Sequence, residues 1–168
     1  MNITFIAPSA QHPKGLLSID EARIVFRNFS GVENRYNAKG NRNFSVVIEN
    51  EEQEMALREE HWNVKTKPSR SDPDDVFRYL PVKINYNYRA PHVYLNKNGK
   101  RQPLSQEDIG LIDTEDIIYV NLDLRPSDWN VNGKTGRAAY LDGIEVFCSS
   151  SRFDREYANN DEEDQRPF

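Results

Sequence analysis

The sequence predicts a mainly β domain: a partly open, OB-like barrel of five strands with an extra hairpin, one helix after the second strand, and a disordered acidic C-terminal tail. Three observations carry this. Apolar and polar residues alternate in several short runs, the period-two pattern of half-buried strands. The runs are separated by Gly- and Asn-bearing turns rather than by long helical stretches. One segment alone, residues 51–61, has convincing helical texture. A β-sandwich would satisfy the same pattern, but a small barrel is the economical solution for 168 residues.

Residues 1–21 read as a lead-in, because Pro8, Pro13 and Gly15 break any periodicity. The domain itself is expected over 22–153. Its first strand is "RIVFRNF" (23–29), with Ile24 and Phe26 on one side and Arg23, Arg27 and Phe29 nearer the other. A turn-rich loop, 30–41, leads to a second strand, "RNFSVVIE" (42–49), with Phe44, Val46 and Ile48 in phase. The two strands can pair as a long hairpin. The helix follows, with Met55 and Leu57 as its few apolar contacts. Residues 65–75, "KTKPSRSDPDD", read as a linker.

In "FRYLPVKINYNYRAPHVYLNKNGKR" (77–101), Leu80, Val82, Ile84 and Tyr86 alternate, and Asn98-Gly99 marks a tight hairpin turn. "SQEDIGLI" (105–112) opens on a Ser-x-x-Asp spacing that suggests a short capped helix. The clearest stretch is 116–149. Ile118, Val120, Leu122 and Leu124 alternate, "NVNGKTG" reverses the chain, and a final strand runs through Tyr140, Ile144 and Val146. Residues 154–168 form the tail.

Charge is segregated along the chain. The net charge is −5, yet residues 154–168 hold six acids and two arginines, so the remaining body stands near −1. A second acidic block, residues 49–62, has six acids against one arginine, and what is left is cationic. Mean hydropathy is −0.82, and no apolar run approaches the roughly 20 residues a membrane helix needs. The start, "MNITFIAPSAQHPKG", has no basic segment before its apolar stretch, unlike a secretory signal. Cys148 is the single cysteine, and His12, His61 and His92 are scattered. Neither a disulfide framework nor a zinc site is expected, and a reducing, cytoplasmic setting is.

Catalytic constellations are thin. Neighbouring acids such as Asp74-Asp75 and Glu59-Glu60 fall in charged runs, without the burial a raised-pKa acid requires. "NGKTG" (132–136) lacks the upstream glycine and the strand-to-helix setting of a phosphate loop. No enzyme and no cofactor is expected. What remains is cations interleaved with aromatics: Arg27, Phe29, Arg35, Tyr36, Lys39 and Arg42 in the first hairpin; Lys83, Tyr88 and Arg89 in and just after the Leu80–Tyr86 run; Arg125, Trp129, Lys134 and Arg137 in the last hairpin. Unstacked single strands need both components, cations along the phosphates and flat rings for the bases. By phase, Phe26, Phe44, Tyr86 and Tyr140 are assigned to the core instead.

Two resemblances sharpen this. The tip Asp161-Glu162-Glu163-Asp164-Gln165-Arg166-Pro167-Phe168 is similar to the acidic C-terminal tip of bacterial single-stranded-DNA-binding proteins, which closes on Ile-Pro-Phe. Gln165-Arg166 departs from that pattern. The likeness implies that the acids with Pro167 and Phe168 engage replication or recombination proteins. Over residues 22–148, "FRNFSG", "GNRNF", "WNVK" and "RPSDWNVNGKTG" resemble a family of small phage-encoded single-stranded-DNA-binding proteins. The expectation is a non-enzymatic protein that coats single-stranded DNA in phage replication or recombination, in the host cytoplasm and off the membrane, with a homo-oligomer left open. The rival is an acidic adaptor or inhibitor, a DNA mimic whose rings are all core.

Overall fold

The computed structural model describes residues 1–149; the tail, including Asp161–Asp164, Pro167 and Phe168, lies outside the described residues. Ten strands form one sheet among them: β1 (Asn2–Ile6), β2 (Leu16–Ala22), β3 (Ile24–Asn28), β4 (Arg42–Ile48), β5 (Lys65–Pro68), β6 (Val76–Ile84), β7 (His92–Lys97), β8 (Lys100–Pro103), β9 (Ile117–Val131) and β10 (Lys134–Cys148). The main path runs β1-β2-β9-β10-β6-β4-β3, with β5 on β6 and the β7–β8 ribbon on β10. The fold is thus mainly β, OB-like and open, as expected, and its ten strands exceed a five-stranded barrel with an extra hairpin.

β10 organises the sheet. It pairs antiparallel with β9 along its length, parallel with β6 at Ala139 and Tyr140, and parallel with β7 from Gly143 to Cys148. A register shift between Leu141 and Gly143 marks the change of partner, as a bulge does where a sheet must bend. One face closes over a core that includes Leu17, Ile19, Phe44, Leu80, Val82, Leu124, Leu141 and Val146. The Asn98-Gly99 and Asn132-Gly133 turns have both central residues at positive φ, the geometry that Asn-Gly favours in two-residue hairpins. Burial pushes the Cys148 thiol up to about 11, which leaves it protonated and inert.

The helix α1 (Glu51–Glu59) is capped by Asn50, whose side chain accepts from the Gln53 backbone N–H at 2.8 Å. Glu51, Glu52 and Glu54 lie in its first turn, where carboxylates complement the helix dipole. Glu54 accepts from Arg58 at 2.9 Å and from Arg78 of β6 at 2.7 Å. These two guanidinium groups hold its carboxyl below the usual range and tie the helix to the sheet. Leu57 is buried, but Met55 is 63% exposed and is not the apolar contact expected of it.

Three segments differ from the sequence reading. The lead-in supplies β1 and nearly all of β2, and its Leu17 and Ile19 are fully buried; Pro8, Pro13 and Gly15 punctuate the loop between these two strands. The linker begins with β5, which pairs with β6 from Lys65↔Tyr79 to Pro68↔Val76. Around residue 105 the chain makes a turn and then a 3-10 helix, Ile109–Thr114. There the Ser105 hydroxyl donates to the Asp108 carboxylate at 2.9 Å rather than accepting from the backbone. Among the described residues, no helix is long and apolar enough to cross a membrane.

Candidate nucleic-acid interface

The motif Phe26-Arg27-Asn28-Phe29 shows how the surface is built. β3 pairs with β4 at Val25↔Ser45 and next at Asn28↔Asn43, so β3 carries one residue more than its partner. That is a β-bulge, and Phe26 sits in it at φ 54°, a left-handed conformation costly for a bulky side chain. The bulge reverses the phase of the strand. Phe26, assigned to the core, is 51% exposed; Phe29, assigned to the interface, is fully buried and stacks on Phe44 with centroids 4.9 Å apart.

The two arginines of this region are structural as well. Arg27 donates to the carbonyls of Ile112 and Glu115 at 2.7 and 2.8 Å, and Arg42 donates to the Phe29 carbonyl at 2.6 Å. Both were expected to meet phosphate; both instead satisfy backbone oxygens that bind the bulge to its surroundings. Asp113 completes the clamp, accepting from the backbone N–H groups of Phe29 and Ser30 at 2.7 and 3.0 Å.

On the sheet face opposite the core, a rung of polar side chains crosses four strands. Tyr140 of β10 is in register with Arg125 of β9 and with Lys83 of β6, and Lys83 with Asn43 of β4. At about 4.8 Å per strand the rung is about 14 Å long. Tyr140, assigned to the core, alternates with buried Ala139 and Leu141 and so faces outward. The Lys83 ammonium stands 5.9 Å from its ring centroid. Tyr86, also assigned to the core, does pack against it, and burial raises its phenol pKa.

Each end of the rung has its own cations. At the β9 end lies a cleft of about 460 Å³ lined by Lys14, Tyr88, Arg89, Arg125, Ser127 and Tyr140, among others. Arg125 and Arg89 share one carboxylate, Asp142, at 3.2 and 3.6 Å. Two guanidinium groups on one acid leave the cleft net positive, and Lys14 adds to it. Tyr88 is 86% exposed. At the β4 end, the Asn43 side chain donates to Asn37 at 2.9 Å, which ties the rung to the 30–41 loop carrying exposed Arg35, Tyr36 and Lys39.

The outward face of β6 carries Phe77, Tyr79, Pro81 and Lys83 in phase. Near Phe77 it meets Phe26: the Phe26 ring lies edge-on to Tyr79 at 5.5 Å and to Phe77 at 6.2 Å. The Lys67 ammonium of β5 caps the group, 4.6 Å from the Phe26 centroid and 5.5 Å from that of Phe77. From Phe77 to Lys83 is about 20 Å along the strand. The face therefore offers rings with a cation at one end and a cationic cleft at the other.

The long β9–β10 hairpin stands beyond the rung. Its Arg137 is engaged within the protein, donating to both Asp128 oxygens at 2.7 and 3.3 Å and to the Glu60 carbonyl at 3.2 Å. This pairing holds the Asp128 carboxyl below its ordinary range. Trp129, 39% exposed, packs against Gly136, where an added Cβ would stand 2.4 Å from its ring. Lys134 is exposed at the tip.

A chain with this surface and these motifs has known counterparts. Residues 8–166 match a family described as "Putative phage ssDNA-binding domain". The chain belongs to that family. No curated protein matches it in sequence. Among solved structures, this chain is similar to a C-terminally truncated single-stranded DNA-binding protein from bacteriophage Enc34. Identity is 11% and TM-score 0.51, over 81% of this chain and 87% of that one. The same phage protein in complex with ssDNA aligns at 12% identity and TM-score 0.48, over 82% and 89% of the two chains. At such identity the likeness bears on the fold. Family membership favours nucleic-acid binding over the adaptor reading.

Sequence reasoning missed Lys14, Phe26, Lys67, Phe77, Tyr79 and Tyr140 as surface candidates. A usable signal existed for two of them. If Leu80, Val82 and Ile84 mark the core face, then Phe77 and Tyr79 fall on the other one. Phe26 had no such signal, because a bulge is invisible to strict alternation.

Proposed function

We propose that this phage ssDNA-binding domain lays a single strand across the outward face of β9, β10, β6 and β4. The observation that carries the proposal is the Arg125–Tyr140–Lys83 rung, in register on three strands and opening into the Arg89–Lys14 cleft. Phosphates meet Lys14, Lys83, Arg89 and Arg125; bases stack on Tyr140, Tyr88 and the Phe26–Phe77–Tyr79 group. The exposed 30–41 loop, with Arg35, Tyr36 and Lys39, and the hairpin residues Trp129 and Lys134 flank this path and extend it. Binding of this kind tolerates any base, since every base has a π-face. That suits a protein coating single strands in phage replication or recombination.

The test is titration of a labelled oligo-dT at two salt concentrations. Four phosphates neutralised at about −0.7 each predict a log–log salt slope of about −3. Duplex of the same length should bind far more weakly, because its base faces are covered. Equal affinity for duplex would sink the reading.

The acidic tail is the second part of the proposal. Acids tethered beside a cationic face compete with phosphate for it, at an effective concentration set by their linkage. Single-stranded DNA then displaces the tail and frees Pro167 and Phe168 for replication or recombination partners. Removal of residues 158–168 is expected to tighten oligo-dT binding, most at low salt where screening is weakest. Identical binding curves for both chains at low salt would refute the competition.

A further inference from the structure

A sheet edge presents unpaired backbone N–H and C=O groups to any strand that can reach them, and proteins blunt such edges with charge, proline, bulges or covering elements. The edges of this sheet differ sharply in that respect. β3 carries the Phe26 bulge and Arg27, which donates to carbonyls of the 3-10 segment. β5 reads Lys-Thr-Lys-Pro and β8 reads Lys-Arg-Gln-Pro, each with two cations and a terminal proline.

β1 has none of these devices. It reads Asn-Ile-Thr-Phe-Ile, pairs with β2 along one side, and ends the main sheet path on the other. In a chain with 29% charged residues, positions 1–13 hold no Asp, Glu, Lys or Arg at all. Phe5 and Ile6 are 43% and 42% exposed. Ile3, which packs against the core, shares its face of the strand with Phe5.

We propose that β1 is a self-association edge, pairing antiparallel with β1 of a second copy about a two-fold axis at Thr4. An isologous seam sets each residue against its mirror position: Thr4 faces Thr4, Ile3 faces Phe5 and Asn2 faces Ile6. Two copies of an edge charged with one sign, as β5 and β8 are, would crowd like charges in such a seam. A charge-free strand does not, which is why the occupant is this chain itself rather than an acidic or basic partner strand. The Ile3–Phe5 contacts carry the core of one copy toward the other and cover the exposed ring. The pairing stands apart from the proposed DNA path and holds whether or not that path is right.

Charge exchange at Thr4 tests this on the full chain without DNA. By sedimentation equilibrium the protein is expected to reach twice its 19.5 kDa mass as concentration rises to about 100 μM. Thr4→Lys and Thr4→Glu should each remain monomeric, since each places like charges across the axis, and an equimolar mixture of the two should restore the dimer. Thr4 is exposed, so both variants should keep the far-ultraviolet dichroism of the parent. In addition, hydrogen exchange of the β1 amides in the unaltered protein should slow with concentration. A parent that stays monomeric throughout would overturn the proposal. So would a dimer that both variants preserve, or β1 exchange independent of concentration.

Discussion

Phe29→Ala is expected to lower unfolding free energy by about 3–5 kcal/mol, the usual cost of deleting a fully buried ring. Phe29 stacks face to face on Phe44 and lies beneath a backbone clamped by Arg42 and Asp113, so the site has little freedom to collapse around the void. Against a total stability of about 5–15 kcal/mol for a domain, the loss is severe. It corresponds to a melting-temperature decrease on the order of 10 °C. Below its lowered transition the variant should bind oligo-dT with unchanged affinity. A variant that melts like the parent but loses DNA affinity would return Phe29 to the interface.

Three residues earlier the expectation is the opposite. Phe26→Asn combined with Tyr79→Ala should weaken oligo-dT binding by about 2 kcal/mol or more, roughly 30-fold, if each ring stacks a base. Asn removes the Phe26 ring yet tolerates the left-handed backbone at that position, so the bulge should survive. The two rings touch, and their effects are not expected to add simply. Thermal melts should move little, because Phe26 is half exposed. Wild-type affinity in this double variant would leave the aromatic group as a satellite cluster over β4 and confine binding to the Arg125–Tyr140–Lys83 rung.

This pair of residues also shows what the sequence could and could not disclose. Alternation located β4 nearly to its ends and the buried stretches of β6, β9 and β10, because one face of each is covered there and the pattern is forced. Asn98-Gly99 and Asn132-Gly133 were legible because few other residues accept their backbone geometry. β1 and β5 were hidden by the prolines that bound them. The proposed interface draws on the class of residues the sequence singled out, cationic and aromatic, but not on the same members of it. Arg27, Arg42 and Arg137 have the composition of phosphate ligands and the job of backbone or carboxylate partners. Phe26 and Phe29 exchanged burial through one extra residue in β3.

The position of β10 has a consequence for how the chain reaches this structure. Its fifteen residues contact β9, β6 and β7, yet they follow all of these in the chain. During synthesis the earlier hairpins can form locally, but the halves of the sheet have no common strand until residue 148 has been made. The parallel pairings with β6 and β7 close long loops, and such non-local contacts slow folding. Folding should therefore be late and abrupt on the ribosome, and a chain truncated before Lys134 should expose apolar edges and aggregate rather than persist as a smaller domain.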